Sequence, residues 1–226
     1  MPPKKLENSG VKSQRIFIVD DHPVFREGLS KVIGQEPDLE VCGEADTAAE
    51  AFSKIDALVP DLVMTDIGLP GKGGLELIQD IHAINPALPV VVVSMHEEKL
   101  YAERVLRAGG RGYVMKQAGP AKMLQAIRTV LSGRIAVSEA ISAGILDNLS
   151  RPPAKDGGPA MGKLSNREFE ILRLIGQGRD SHNIAEALHL SIKTVDTHRG
   201  NIRIKLGLKN STELIHYAVR WVGDEV

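Results

Sequence analysis

Apolar residues in the first half of the chain alternate, five times over, between short continuous runs and stripes at helical spacing. The runs predict buried strands near 15–19, 39–45, 62–66, 90–94 and 112–115. Each run is followed by a helical pattern, near 23–35, 47–58, 73–85, 97–108 and 120–132. Alternation of this kind predicts a parallel sheet covered by helices on both faces.

The pattern changes after Gly133, where a short helix near 138–149 leads into the Pro- and Gly-rich segment RPPAKDGGPAMGK. This composition favours a flexible tether, although the short helix could instead be a docking surface for a second domain. Four further helices are predicted, the first three capped by Ser165, Ser181 and Ser191 and the last near 211–222. We therefore predict a disordered tail at 1–13, an α/β domain at 14–132, a linker with a short helix at 133–162 and an all-α domain at 163–226.

Charge is unevenly distributed between the two predicted domains. Residues 14–132 carry 12 Lys and Arg against 17 Asp and Glu, whereas residues 163–226 carry 10 against 8. Between Ile192 and Lys209, five basic side chains accompany a single acid, Asp196. Two short helices joined by a tight turn, the second basic on its outer side, are typical of a helix-turn-helix DNA reader.

Cysteine and histidine usage narrows the candidate chemistry. The single cysteine, Cys42, excludes an internal disulfide and a cysteine-based zinc site. The histidines His22, His82 and His96 lack metal-ligand spacing with one another, and we interpret them as structural or solvent-facing. The strongest candidate for an exception is His96, because it lies two residues after Ser94. No apolar run approaches the roughly 20 residues needed to cross a bilayer, and the start of the chain has no apolar signal core. We expect a cytoplasmic protein that does not engage a membrane.

Acidic residues end two of the predicted strands. Asp20 and Asp21 follow the first strand, and Asp66 follows the third. In an open α/β sheet, ligands bind outside the carboxyl ends of the strands where the strand order reverses. Two carboxylates about 4 Å apart repel by roughly 4 kcal/mol at an effective dielectric of about 20. A hard divalent cation, Mg²⁺, is the simplest partner for such a cluster.

The segments DDHPVFREGL (20–29), MTDIGLPGKGGLELI (64–78), VVVSMHE (91–97) and GYVMKQA (112–118) resemble the receiver domain of bacterial two-component response regulators. The resemblance covers about 120 residues and implies a flavodoxin-like, doubly wound sheet of five parallel strands. It also implies that Asp66 accepts a phosphoryl group from a phosphohistidine on a sensor histidine kinase. Phosphoryl transfer needs an in-line nucleophile, a divalent cation and a fixed cationic donor.

The same resemblance assigns a role to each residue of the site. The expected Mg²⁺ ligands are Asp21, Asp66 and the main-chain carbonyl of Gly68, with Asp20 assisting through water. The expected contacts of the phosphoryl oxygens are Ser94 and Lys116, and the expected aromatic switch residue is Tyr113.

The stretch LSNREFEILRLIGQGRDSHNIAEALHLSIKTVDTHRGNIRIKLGLKNSTELIHYAV resembles the LuxR-type effector domain of the NarL/FixJ class. That resemblance implies a four-helix helix-turn-helix domain that places residues 192–206 in the major groove of double-stranded DNA. The candidate DNA-contacting residues are Lys193, Thr194, Asp196, Thr197, His198, Arg199, Gly200, Arg203 and Lys205. In this class the unphosphorylated receiver is thought to mask the recognition helix, and phosphorylation frees it to form a homodimer through the last helix.

Taken together, the two resemblances predict a phosphorylation-regulated DNA-binding transcriptional regulator rather than a dedicated enzyme. A phosphorylation-independent DNA-binding regulator with a vestigial receiver domain is the alternative. An aspartyl-phosphate hydrolase is disfavoured, because a haloacid-dehalogenase-type phosphatase would place a second acid where this chain has Gly68.

Overall fold

A sheet of five parallel strands forms the centre of the first domain in the computed structural model, which describes residues 13–150 and 163–223. The strands are β1 (Gln14–Val19), β2 (Leu39–Ala45), β3 (Leu62–Thr65), β4 (Val90–Ser94) and β5 (Gly112–Met115). Their order is β2-β1-β3-β4-β5, and all neighbouring pairs are parallel. This is the flavodoxin-like order, so the predicted fold class is confirmed.

Five helices cover the two faces of this sheet: α1 (Pro23–Gly34), α2 (Ala48–Leu58), α3 (Gly74–Ile84), α4 (Glu98–Arg107) and α5 (Pro120–Leu131). On one face, Leu29 of α1 and Ile127 of α5 are buried in one apolar cluster. On the other face, Leu77 of α3 and Val105 of α4 are buried in a second cluster. Every residue of β4 is buried, which explains why that strand is apolar on both sides.

A close backbone approach fixes the start of α3 beneath the end of β3. A Cβ atom added at Gly74 would lie 1.9 Å from the carbonyl oxygen of Asp66, so only glycine fits there. The amide of Gly74 donates to the carbonyl of Ile67 at 2.9 Å. The loop after β3 is therefore held tightly against α3.

The segment after α5 continues the sheet at its β5 edge. Ala136 forms a parallel bridge with Gly112, and its carbonyl accepts a 2.8 Å hydrogen bond from the amide of Tyr113. A sixth helix, α6 (Glu139–Ser150), follows and packs against α4, where the amide of Ser138 donates to Glu98 Oε1 at 2.7 Å. The linker thereby covers a sheet edge that would otherwise be open. Most of the predicted tether, 151–162, lies outside the described residues, as does nearly all of the predicted tail.

The second domain consists of α7 (Asn166–Gly176), α8 (Ser181–Ala187), α9 (Ile192–Lys205) and α10 (Ser211–Gly223), as predicted. Ser165 and Glu168 form a reciprocal capping box at the start of α7, and Ser191 caps α9. The predicted cap of α8 was wrong. Asp180 caps that helix by accepting from the amide of Asn183 at 2.8 Å, and Ser181 is the first residue of the helix itself.

The two domains contact each other through α4 and α7. The ring of Tyr101 meets the ring of Phe169 edge-on at 5.3 Å, and the guanidinium of Arg104 lies 4.0 Å from the centroid of the same Phe169 ring. Arg104 also donates to the carbonyl of Leu164 at 3.1 Å. Phe169 in turn contacts the ring of Trp221 on α10. Among the described helices, none is long and apolar enough to cross a membrane.

Candidate functional site

Asp66 lies directly after β3, at the carboxyl edge of the sheet, and its side chain is buried. The ammonium of Lys116, which directly follows β5, donates to Asp66 Oδ2 at 2.7 Å. The same nitrogen lies 2.7 Å from Oδ2 of Asp20, which directly follows β1. The strand order brings these three chain positions together, as expected for the point where the order of the strands reverses.

Asp20 is held by its own loop. Its Oδ1 accepts the amide of His22 at 2.9 Å, and its carbonyl accepts from the guanidinium of Arg26. Arg26 is itself fixed by Glu44, at 3.1 Å. The loop between β1 and α1 therefore presents the Asp20 carboxylate to the site in one orientation.

The acidic residues form a cluster whose geometry suits a hard divalent cation. Ligand atoms of Asp20, Asp21, His22 and Asp66 all lie within 4.8 Å of one another. Oδ1 of Asp21 is buried and accepts no hydrogen bond of normal geometry, although His22 Nδ1 lies 2.8 Å away. Carboxylate oxygens are the donors that Mg²⁺ prefers, so the residues fit this cation. His22 belongs to this cluster, which its interpretation as structural or solvent-facing did not anticipate.

Opposing charges shift the protonation equilibria of the site. Burial works against the charged form of Lys116, but the Asp66 and Asp20 carboxylates outweigh it and raise the pKa of the ammonium. Burial raises the pKa of Asp20, and the hydrogen bonds from Lys116 and His22 only partly offset that effect. The site thus carries a fixed cation next to partly desolvated acids.

Ser94 and Tyr113 are joined to each other through the backbone of His96. The amide of His96 donates to Ser94 Oγ at 3.3 Å, and the hydroxyl of Tyr113 donates to the carbonyl of His96 at 2.8 Å. Ser94 and Tyr113 are both buried. Ser94 and Tyr113 are thus linked through the loop that follows β4, and their expected roles toward the phosphoryl group stay predictions.

His96 also reaches the second domain, a contact that no sequence pattern indicated. Its Nε2 lies 3.2 Å from the guanidinium of Arg173 on α7, and its ring stacks on Tyr101 with centroids 5.3 Å apart. Burial and then the charge of Arg173 lower the pKa of His96 from its ordinary 6.5 to about 4. At neutral pH the imidazole is therefore neutral and can accept a hydrogen bond from Arg173.

We expect acid to weaken this contact between the domains. The pKa of His96 is about 4 when the contact is formed, and near 6.5 when the ring is in water, so the separated arrangement binds the proton more readily. The free energy by which this contact stabilises the association of the two domains is fully present above pH 6.5 and is lost as the pH falls toward 4. Small-angle scattering should show the radius of gyration rising as the pH falls over this range. The other charged groups that act on the His96 ring are Arg173, which keeps its charge throughout, and the more distant Asp66 and Lys116.

The matched variant is His96→Asn, which should begin with a larger radius of gyration and respond less to pH. His82→Asn, at an exposed position on α3, serves as the control and should follow the wild type. Parallel pH profiles for the wild type and His96→Asn would show that His96 does not control the contact.

The outer side of α9 is open to solvent, in contrast to the expected masking of the recognition helix. Lys193, Asp196 and Thr197 are exposed, and Arg199 and Arg203 are partly exposed. Val195 and Ile202 are buried on the opposite side of the helix. The receiver-like domain contacts α7 instead, so its contacts with α7 do not block access to these side chains.

Several side chains of α9 are engaged inside the domain. Asp196 Oδ1 accepts from the hydroxyl of Ser181 at 2.8 Å, which orients the carboxylate. The ammonium of Lys205 pairs with the buried Glu168 at 2.7 Å. Nδ1 of His198 is buried. Lys205 is thus tied to α7 and Nδ1 of His198 is covered, and the DNA-contacting role expected of both residues stays a prediction.

Comparison with known proteins places both halves of the chain in described families. Residues 16–128 match the response regulator receiver domain family, and residues 162–218 match the luxR family of bacterial regulatory proteins. The chain is 36% identical over 211 residues to the oxygen regulatory protein NreC of Staphylococcus aureus (strain bovine RF122 / ET3-1). That alignment covers 91% of this chain and 97% of the relative.

Solved structures resemble the full chain as well. RcsB of Salmonella enterica serovar Typhimurium, bound to promoter DNA in the presence of the phosphomimetic BeF₃⁻, is 28% identical with a TM-score of 0.61. This match covers 92% of this chain and 98% of that chain. A structure of RcsB dimers bound to DNA is 27% identical with a TM-score of 0.56, and covers 91% of this chain and 98% of that one.

Proposed function

The chain belongs to the response regulators that join a receiver domain to a LuxR-type DNA-binding domain, and we propose that phosphorylation of Asp66 controls its binding to DNA. It is a phosphorylation-regulated DNA-binding regulator, in a family of transcription regulators rather than dedicated enzymes. One observation carries the assignment to Asp66. Its carboxylate is the acid at the end of the central strand that contacts Lys116 and faces the Asp20 and Asp21 pair.

The residues around Asp66 match what phosphoryl transfer requires. The Asp66 carboxylate is the nucleophile, and the Lys116 ammonium, 2.7 Å away, is a fixed cationic donor for the phosphoryl oxygens. Mg²⁺, held by Asp21, Asp66 and the carbonyl of Gly68 with Asp20 through water, would supply the neutralising charge. The phosphoryl group comes from a phosphohistidine on a sensor histidine kinase, the partner that a receiver domain implies.

We infer that His96 couples the site to the second domain. A phosphoryl group adds about −1.5 to −2 charges at Asp66 and attracts the Lys116 ammonium and the Ser94 hydroxyl. Ser94 is bonded to the backbone of His96, and the ring of His96 contacts Arg173. Displacement of Ser94 therefore moves the His96 contact with α7, while Tyr113 follows through its bond to the His96 carbonyl. A nearly complete switch requires roughly 5.5 kcal/mol of bias between the two states.

DNA affinity measured with and without a phosphodonor tests this function. A duplex site selected from random sequence by the full-length protein would be titrated by fluorescence anisotropy, with acetyl phosphate and Mg²⁺ either present or absent. We expect phosphorylation to tighten binding and to favour a homodimer through α10, in keeping with the RcsB dimers that bind DNA. Equal affinity in both conditions would favour the phosphorylation-independent regulator. Such a regulator acts on DNA in the cytoplasm, which we propose as its location.

We propose that α9 reads DNA with two classes of side chain. Lys193, Arg199 and Arg203 supply cations for phosphates, a contact that gives affinity and salt dependence but no direct sequence information. Asp196, Thr197 and Gly200 face base edges, with Thr194 and His198 beside them, and Lys205 contributes mainly through its pair with Glu168. The carboxylate of Asp196 can accept from a cytosine amino group, and the methyl of Thr197 can contact a thymine methyl.

Asp196→Ala should relax base preference at one position of the site. The free energy of discrimination between bases at that position should fall by at most about 1–3 kcal/mol, the value of a good base-edge contact. Nonspecific binding should tighten, because the variant lacks a negative charge near the DNA phosphates. Binding-site selection on the wild type and the variant at one salt concentration measures this. The contrasting variant, Arg199→Ala, should weaken all sites alike and lower the salt slope by about one unit. Identical base preferences for the wild type and Asp196→Ala would exclude Asp196 as a base reader.

A further inference from the structure

The Lys116 ammonium contacts an aromatic ring as well as the two carboxylates. Its nitrogen lies 4.5 Å from the centroid of the Phe25 ring and 2.7 Å from oxygens of both Asp20 and Asp66. The Lys116 side chain is only 5% exposed. A lysine ammonium has three N–H donors. Two of them can serve the carboxylates of Asp20 and Asp66, and the ammonium also lies over the face of the Phe25 ring.

Phe25 is held in place by the helix that carries it. It lies one turn before the buried Leu29 and two turns before the buried Ile33, on the side of α1 that packs against the core. Proline at position 23 starts this helix with its fixed backbone torsion. The ring is therefore presented by a rigid element and is partly buried, whereas its neighbour Val24 is exposed.

A groove of about 670 Å³ opens beside this contact. It is mostly apolar, and its lining includes Phe25, Val24, Met95 and Met123 together with Lys116 itself. The flexible four-carbon stem of lysine could turn its ammonium into this space and into water. The ring of Phe25 contacts the ammonium in the position in which the ammonium also contacts Asp66.

We propose that Phe25 is a positioning residue for the phosphoryl chemistry at Asp66, because its ring holds the Lys116 ammonium toward Asp66 through a cation–π interaction. The inference rests on the proposed function, which makes the Lys116 ammonium a partner of the phosphoryl oxygens. Desolvation strengthens a cation–π interaction, and this ammonium is nearly buried. An aliphatic residue could fill the same volume but would offer no negative ring face.

Fluorinated phenylalanines separate electrostatics from shape at this position. Phenylalanine with one, two or three ring fluorines would be placed at position 25 of the full chain. The fluorines withdraw negative charge from the ring face with little change in side-chain volume. The same series at Phe52, a partly exposed aromatic residue on α2, is the matched control. The measured quantity is the dissociation constant for BeF₃⁻ in the presence of Mg²⁺, followed by titration of ¹H–¹⁵N spectra.

We expect BeF₃⁻ affinity to fall stepwise with each fluorine at position 25, by about threefold to thirtyfold over the whole series, and not at position 52. Phe25→Trp, with a stronger ring face, should bind at least as tightly as the wild type, and Phe25→Leu should resemble the trifluorinated protein. If the wild type binds BeF₃⁻ and the affinity does not change with fluorination at position 25, the proposed role of Phe25 is wrong while the proposed function stands. Absence of BeF₃⁻ binding by the wild type would overturn the proposed function, and the role of Phe25 with it.

Discussion

Lys116→Ala should still accept a phosphoryl group at Asp66 but should lose the change in DNA affinity that phosphorylation brings about in the wild type. The nucleophile and the cation ligands remain in the variant, whereas the only described ammonium that bridges Asp66 and Asp20 is gone. Without that ammonium the new negative charge has no partner on the segment after β5. We therefore expect intact-mass analysis to detect phosphoryl incorporation, while anisotropy gives nearly equal DNA affinities with and without phosphodonor.

Removal of Lys116 should also destabilise the domain. The two buried carboxylates lose their shared counterion, and breaking a buried ion pair typically costs about 3–5 kcal/mol. Added Mg²⁺ should restore part of this loss in thermal unfolding, because it supplies positive charge to the same carboxylates. Lys122→Ala, which removes an exposed lysine of α5, is the control and should behave as the wild type. A full DNA response in Lys116→Ala would show that coupling runs through other groups.

Asp66→Asn should abolish both phosphoryl incorporation and the response of DNA binding to a phosphodonor. The amide is close in shape to the carboxylate but is not a nucleophile toward phosphorus, and it cannot serve as an anionic cation ligand. The fold should persist, since the replacement keeps the side-chain volume at this buried position. Intact-mass analysis after incubation with acetyl phosphate and Mg²⁺ should show no added phosphoryl group, against stoichiometric labelling of the wild type.

The matched control for that experiment is Asp56→Asn, at an exposed carboxylate on α2. It removes the same charge from the same domain and should label as the wild type does. Labelling that survives in Asp66→Asn would mean that another acid accepts the phosphoryl group, and Asp21 at the same edge would then be examined first.

Much of the fold of both domains follows from sequence because its signals are local. The apolar run of β4 is buried along its whole length, and the capping box of Ser165 and Glu168 at α7 was evident from the spacing of the two residues. The convergence of Asp20, Asp66 and Lys116 was predictable for a topological reason. Residues at the carboxyl ends of neighbouring parallel strands meet at one edge of the sheet, however far apart they are in the chain.

The features that sequence patterns did not indicate depend on contacts between distant parts of the chain. Asp180 and Ser181 are adjacent and both good N-cap residues, so the sequence alone does not decide which of them caps α8. The contact of His96 with Arg173 joins positions 77 residues apart. Phe25 fits an ordinary apolar stripe, so its place beside the Lys116 ammonium becomes visible only in three dimensions.

The linker and the recognition helix α9 also make contacts that depend on distant parts of the chain. The pairing of Ala136 with β5 arises because the last strand leaves an open edge, a property of the assembled sheet and not of residues 134–138 themselves. On α9, the sequence indicated Lys205 as a candidate DNA contact and gave no sign of a partner for it within the protein. Lys205 nevertheless pairs with Glu168, because that buried carboxylate on α7 requires a counterion within reach.

Chemical identification of the phosphorylated residue tests the central claim most directly. The wild-type protein would be incubated with acetyl phosphate and Mg²⁺, reduced with borohydride to convert any aspartyl phosphate into homoserine, and sequenced by peptide mass spectrometry. The proposed function predicts homoserine at position 66 and at no other aspartate. Homoserine at a different position, or phosphoryl incorporation with aspartate intact at position 66, would contradict it.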